Sequence, residues 1–158
     1  MRNNISGKCG KNAAYVLETN GILRIFGAGE VECIVFIDNG GEVDEKSIWK
    51  DKEIDVVEVV IEEGITSLSM FAFLGLDKLE RVTLPDTLKE IGDFCFADCS
   101  KLRSMNRPKG LEIVGFESFK GCMFDKSEFP KERLRLFALS SKANNCMKEK
   151  MAEEDNNT

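Results

Sequence analysis

The chain contains no histidine, which excludes His-based catalytic triads, imidazole general bases and His metal ligands. Apolar runs are short, Ile34 to Ile37 being typical, so no segment can span a bilayer as a helix and no membrane insertion is expected. The opening Met1-Arg2-Asn3-Asn4-Ile5-Ser6 lacks the apolar core of a secretory leader. Two expectations of location follow, a cytoplasmic protein or a trimmed surface or secreted one. Basic charge is in deficit, with 22 Lys and Arg against 28 Asp and Glu and a net charge of −6. That balance opposes a phosphate-backbone binder, so nucleic acid is not expected as a partner.

The six cysteines, at 9, 33, 95, 99, 122 and 146, include no Cys-x-x-Cys pair. Four-cysteine zinc sites usually need two close pairs, so no metal is expected. Cys95 lies between Phe94 and Phe96, which reads as a small packed thiol in a reducing compartment. Gly27-Ala28-Gly29 lacks the third glycine of a dinucleotide fingerprint, because position 32 is Glu. No cofactor is expected.

What is present is an ordinary globular mix, 42% apolar and 32% charged over 158 residues, enough for one domain with a sizeable core. Periodicity then decides the fold class. Laying Leu79–Cys99 over the chain 23 residues later matches Leu79 with Leu102, Val82 with Met105, and Pro85 with Pro108. Leu88 meets Leu111, Ile91 meets Val114, Gly92 meets Gly115, Phe96 meets Phe119 and Cys99 meets Cys122. The preceding unit supplies Val56, Val59, Ile61, Ile65, Leu68, Phe71, Phe73 and Leu76. Alternation at Val82 and Leu84 turns those side chains inward while Arg81 and Thr83 point outward. Pro85 ends that strand, and Gly92 permits a tight bend before the aromatic segment. A coil of this kind buries its apolar side only by stacking on neighbours.

The pattern L-x-x-V-x-I-P-x-x-V-x-x-I-G-x-x-A-F-x-x-C, closely followed at 79–99, resembles the BspA-type leucine-rich repeats. The 57–76 unit fits with Glu62 in place of proline and Leu76 in place of cysteine, and the 102–122 unit is worn at Asn106-Arg107-Pro108. The expected fold is mostly β with short helices. It is a short right-handed leucine-rich-repeat solenoid of about three 23-residue coils, capped by an N-terminal β-hairpin module and a C-terminal helix.

The expected divisions are 1–55 (capping module), 56–124 (three repeats) and 125–158 (closing strand, capping helix and frayed acidic tail). In the first, Asn20-Gly21 is a type I′ turn signal between Tyr15/Leu17 and Leu23/Ile25. Residues 42–52 read as a charged connector, a short helix or turn, with Trp49 where the resembled module commonly has a tryptophan. In the last, Arg133 to Leu139 reads as a strand, and Ala143, Met147 and Met151 share one helical face.

No nucleophile–base pair or acid/base cluster is evident, so the chain is not expected to be an enzyme. Outward residues 23 apart form two columns: Glu58, Arg81 and Ser104; and Val60, Thr83 and Asn106. These six are the candidate partner-binding residues. The resemblance implies protein binding, adhesin-like, by a non-enzymatic interaction module presenting an extended β surface. The alternative is a structural or self-associating unit, a homodimer formed through an uncovered edge or the terminal helix.

Overall fold

Hydrogen bonding converts the 23-residue period into strand register. The computed structural model describes residues 2–32, 34–38, 43–50 and 52–133. Its strands are β1 (Ile5–Lys8), β2 (Asn12–Leu17), β3 (Ile22–Val31), β4 (Ile34–Asp38), β5 (Val43–Ser47) and β6 (Glu58–Ile61). They continue as β7 (Ile65–Leu68), β8 (Arg81–Thr83), β9 (Glu90–Ile91), β10 (Ser104–Met105), β11 (Ile113–Gly115) and β12 (Glu132–Arg133).

One curled, mostly parallel sheet runs β10-β8-β6-β3-β7-β9-β11-β12. The strands β6, β8 and β10 align Glu58, Arg81 and Ser104, whereas β7, β9 and β11 align Ser67, Glu90 and Ile113. Each repeat therefore contributes one strand to either arm of the sheet. Inward positions alternate as expected, with Val82 and Leu84 buried and Arg81 and Thr83 exposed.

Strand β3 joins the arms. Residues 22–25 pair with β6, and Gly29 to Val31 pair with β7. The strand turns this corner through Gly27 and Gly29, at φ 111° and 80°. A Cβ at residue 27 would also sit 2.2 Å from the Asn12 carbonyl oxygen, so only glycine fits. On the other side of β3, β2 and then β1 add antiparallel strands.

Several expectations are corrected. Among the described residues there is no helix. Residues 43–47 form β5, which makes an antiparallel pair with β4, and only then does the chain turn through Trp49. The hairpin loop is not type I′: Gly21, at φ 88°, is its only positive-φ residue, and its N–H donates to Glu18 O at 2.9 Å. Alternating strands still specified the hairpin, but one left-handed residue rather than two closes it. Gly92 has no positive φ; a Cβ there would meet Met70 N at 2.5 Å, so close coil stacking selects it. The expected closing strand begins as β12, whose residues pair with β11, and residues 134–139 and the capping helix lie outside the described residues.

The aromatic segments of successive repeats form a third wall made of turns. The N–H groups of Phe71, Phe73 and Gly75 donate to Asp93, Cys95 and Ala97, at 2.8–3.0 Å. Those of Phe94, Phe96 and Asp98 donate to Phe116, Ser118 and Lys120, again 22 residues on, at 2.8–2.9 Å. Intervening amides close turns, as in Ala97 N to Phe94 O. Inside this wall the rings of Trp49, Phe73, Phe96 and Phe119 stack with centroids 4.9, 5.0 and 6.1 Å apart. Tyr15 closes one end of the ladder edge-on, and Phe124 and Phe129 close the other.

Candidate partner-binding surface

The arm β1-β2-β3-β6-β8-β10 carries the sequence-predicted candidates on its outward face. Parallel pairing brings Glu58, Arg81 and Ser104 into one row across three strands. The row is tied internally: Arg81 Nη2 lies 3.2 Å from Glu58 Oε2, while the Arg81 side chain stays half exposed at 50%. An offset pair repeats the arrangement, with Arg103 Nη2 3.3 Å from Glu80 Oε2. Exposed pairs of this kind add little stability, but they hold long side chains extended across the sheet.

The second column is brought together only in part. Val60 and Thr83 are paired residues of β6 and β8, with Val60 half-buried and Thr83 exposed. Asn106 lies beyond the end of β10, and its side chain does backbone work. Its Oδ1 accepts from Leu84 N at 2.7 Å, and its Nδ2 donates to Leu84 O at 2.9 Å. The amide thus replaces the next ladder step where the worn repeat has lost its strand residue.

Both columns also extend toward the N-terminus. Ile22 pairs with Glu58 and Arg24 pairs with Val60, so β3 belongs to the same face. Arg24 Nε is held 2.5 Å from Glu18 Oε1, and that hydrogen bond and charge push the guanidinium pKa upward. Reading by a 23-residue shift misses Arg24, because the stretch holding β4 and β5 separates β3 from β6. The available signal was the Leu23/Ile25 alternation, which leaves Ile22 and Arg24 on the opposite face.

Chemically this face offers rows of guanidinium, carboxylate and hydroxyl groups on a rigid ladder. Such a surface suits charge and hydrogen-bond complementarity with a polypeptide. Among the described residues, no three Cys, Asp or Glu side chains gather as metal ligands would. Cys95, Cys99 and Cys122 sit in the turn wall instead. The Cys99 thiol donates to Phe73 O and the Cys122 thiol to Phe96 O, each at 3.2 Å. Burial pushes both thiols up, Cys122 to about 12.

Comparison with known proteins fits this geometry. The family model for BspA type leucine rich repeat regions matches residues 51–144, with six copies. A leucine-rich repeat protein from Eubacterium ventriosum superposes with a TM-score of 0.67 at 29% identity, covering 82% of this chain and 33% of its own. A leucine rich cell surface protein from Faecalibacterium prausnitzii aligns at 19% identity and a TM-score of 0.43, covering 74% of this chain and 34% of its own. The chain thus spans about a third of the length of either structure. No curated protein matches.

Proposed function

Because the chain belongs to the BspA type leucine-rich repeat family, we propose that it is a non-enzymatic protein-interaction module whose partner docks on the outward face of the β3-β6-β8-β10 arm. The observation that carries this reading is the continuous row Ile22, Glu58, Arg81 and Ser104 on hydrogen-bonded strands. A folded partner meets such a row as one preorganised surface, with little side-chain entropy left to lose. Val60, Thr83 and Arg24 extend the contact. Asn106 supports the edge through Leu84. The same reading keeps 1–55 as capping module, 56–124 as repeats and 125–158 as closing region, and takes the module to be adhesin-like with a protein as its partner.

The test compares capture by the wild-type chain and by Arg81→Glu from cell lysate and from an extracellular-matrix extract. Arg81→Glu leaves thermal stability within about 0.5 kcal/mol, as exposed changes usually do. Loss of the captured protein with folding intact supports the face. Equal capture by both chains removes it.

A further inference from the structure

Across β2 and β1 the outward face of this arm continues, and there its chemistry changes. Strand pairing sets Lys8, Ala14 and Phe26 side by side. Glu62, one residue past β6, donates its N–H to Ile25 O and extends the register to stand next to Phe26. One row across four strands therefore reads basic, small, aromatic, acidic. The neighbouring row holds Ser6, Val16, Arg24 and Val60. Tyr15, Ile25 and Ile61, which alternate with these residues, are buried, so both rows face outward.

Phe26 is 39% exposed, unlike the buried rings of the ladder. Ala14, Val16, Ile22 and Val60 around it are half-buried, so the ring belongs to a contiguous apolar patch rather than standing alone. Lys8 and Glu62 are exposed, and neither side chain has a hydrogen bond or ion pair among the described residues.

The row is complementary to itself when reversed. A two-fold axis parallel to the strands, between β2 and β3, lays a second copy's face on this one with the order of strands inverted. Lys8 then meets Glu62 of the second copy, and Glu62 meets its Lys8. Phe26 of each copy lies over Ala14 of the other, a large residue against a small one. In the neighbouring row Val16 covers the aliphatic stem of Arg24, whose guanidinium enters the contact already paired with Glu18. Sheets packed face to face with strands nearly aligned stand about 10 Å apart, close enough for their side chains to interdigitate.

We propose that this face binds a second copy of the chain as an isologous dimer, with Phe26 as its aromatic anchor and two Lys8–Glu62 ion pairs at its rim. Four strands about 4.8 Å apart and three outward rows about 7 Å apart make a patch of roughly 400 Å² per copy, which places the contact among weak, reversible encounters. Strands β8 and β10 project beyond the overlap, so Arg81 and Ser104 stay outside it. Ile22 and Glu58 belong to both surfaces, so a docked partner and a second copy exclude each other.

Sedimentation equilibrium of the full chain from about 10 µM to about 1 mM covers the range in which contacts of this size associate. The wild-type chain is expected to pass from monomer toward dimer across it. Lys8→Glu alone and Glu62→Lys alone each weaken association about tenfold or more, because each sets like charges opposite one another twice. An equimolar mixture of these two variants recovers association to within about threefold of wild type, since every reversed charge then meets its opposite. Phe26→Ala weakens it about tenfold. All three positions are exposed, so circular dichroism should show the same fold in every variant. Arg81→Glu leaves the dimer unchanged, which separates failure here from failure of the partner face. A wild-type chain that stays monomeric up to about 1 mM overturns the inference. It is equally overturned by a dimer that ignores the single reversals, or by a mixture that associates no better than its components.

Discussion

Phe96 shows how one side chain holds several layers together. Its ring is fully buried, stacked 5.0 Å from Phe73 and 6.1 Å from Phe119, and its N–H reaches Ser118 O. Phe96→Ala is expected to cost about 3–5 kcal/mol, the range for emptying a buried aromatic site. Chemical denaturation measures it, and a loss under about 1 kcal/mol would show that the ladder is not the core. The thiols give a pH-dependent counterpart. Folding holds Cys99 and Cys122 neutral, with pKa values above the ordinary 9.0. Their contribution is complete below about pH 9 and is lost as pH rises toward 12. Stability should therefore fall on the alkaline side, and Cys99→Ala/Cys122→Ala should flatten that slope while losing packing at neutral pH. An identical slope in the variant would assign alkaline loss to other groups. Asn106 teaches caution about exposure alone. Its two bonds to Leu84 make Asn106→Ala unsuitable as a neutral surface control.

At the level of elements, backbone conformation repeats with the same period as the side chains. Phe71, Phe94 and Glu117 have φ of 62°, 53° and 51°, and Gly75, Asp98 and Gly121 have 72°, 60° and 81°. The turn wall therefore needs two left-handed residues per repeat, and at the second position glycine is used twice. Asp98→Gly should leave stability within about 0.5 kcal/mol, because aspartate already tolerates this region. Asp98→Val should cost about 1–2 kcal/mol, since a β-branched residue resists positive φ. Equal stability of the two variants, read by thermal melting, would contradict a demand for left-handed backbone at 98. This column also marks where sequence reading ended. Apolar spacing disclosed the repeat and the register of β6, β8 and β10, because inward positions recur at a fixed interval, but it did not separate the second strand of each repeat, β7, β9 or β11, from the aromatic segment that follows. The left-handed column was masked by Asp98, and β3 by its different offset from β6. The face candidates Glu58, Arg81 and Ser104 were legible for the same periodic reason. The stacking of Trp49 on Phe73 was not, since the two rings meet only where the opening module packs on the first repeat.

For the molecule as a whole, stacking makes stability a property of neighbours rather than of single repeats. The β6/β7 and β8/β9 layers have a paired strand on each side in both arms, whereas among the described residues β10 ends its arm and β11 is followed by β12. The charge changes along the same axis. The first repeat carries Glu58, Glu62 and Glu63, while the third carries Arg103, Arg107 and Lys109. Opposite ends attract only through the intervening coils, since exposed charges more than about 10 Å apart are largely screened. Nearest-neighbour packing, not this dipole, therefore sets the order of unfolding. Native-state hydrogen exchange should show the Phe73 and Phe96 amides opening at free energies close to the global value. The Leu111 amide, which closes a turn to Pro108 O beyond β10, and the Met123 amide, bonded to Leu102 O, should open more easily, by about 1 kcal/mol or more. Raising salt should leave that ranking unchanged if packing governs it. Uniform protection from Phe73 to Met123 would instead mean that the repeats open as one indivisible unit, and a ranking that collapses in salt would restore the charge gradient as its cause.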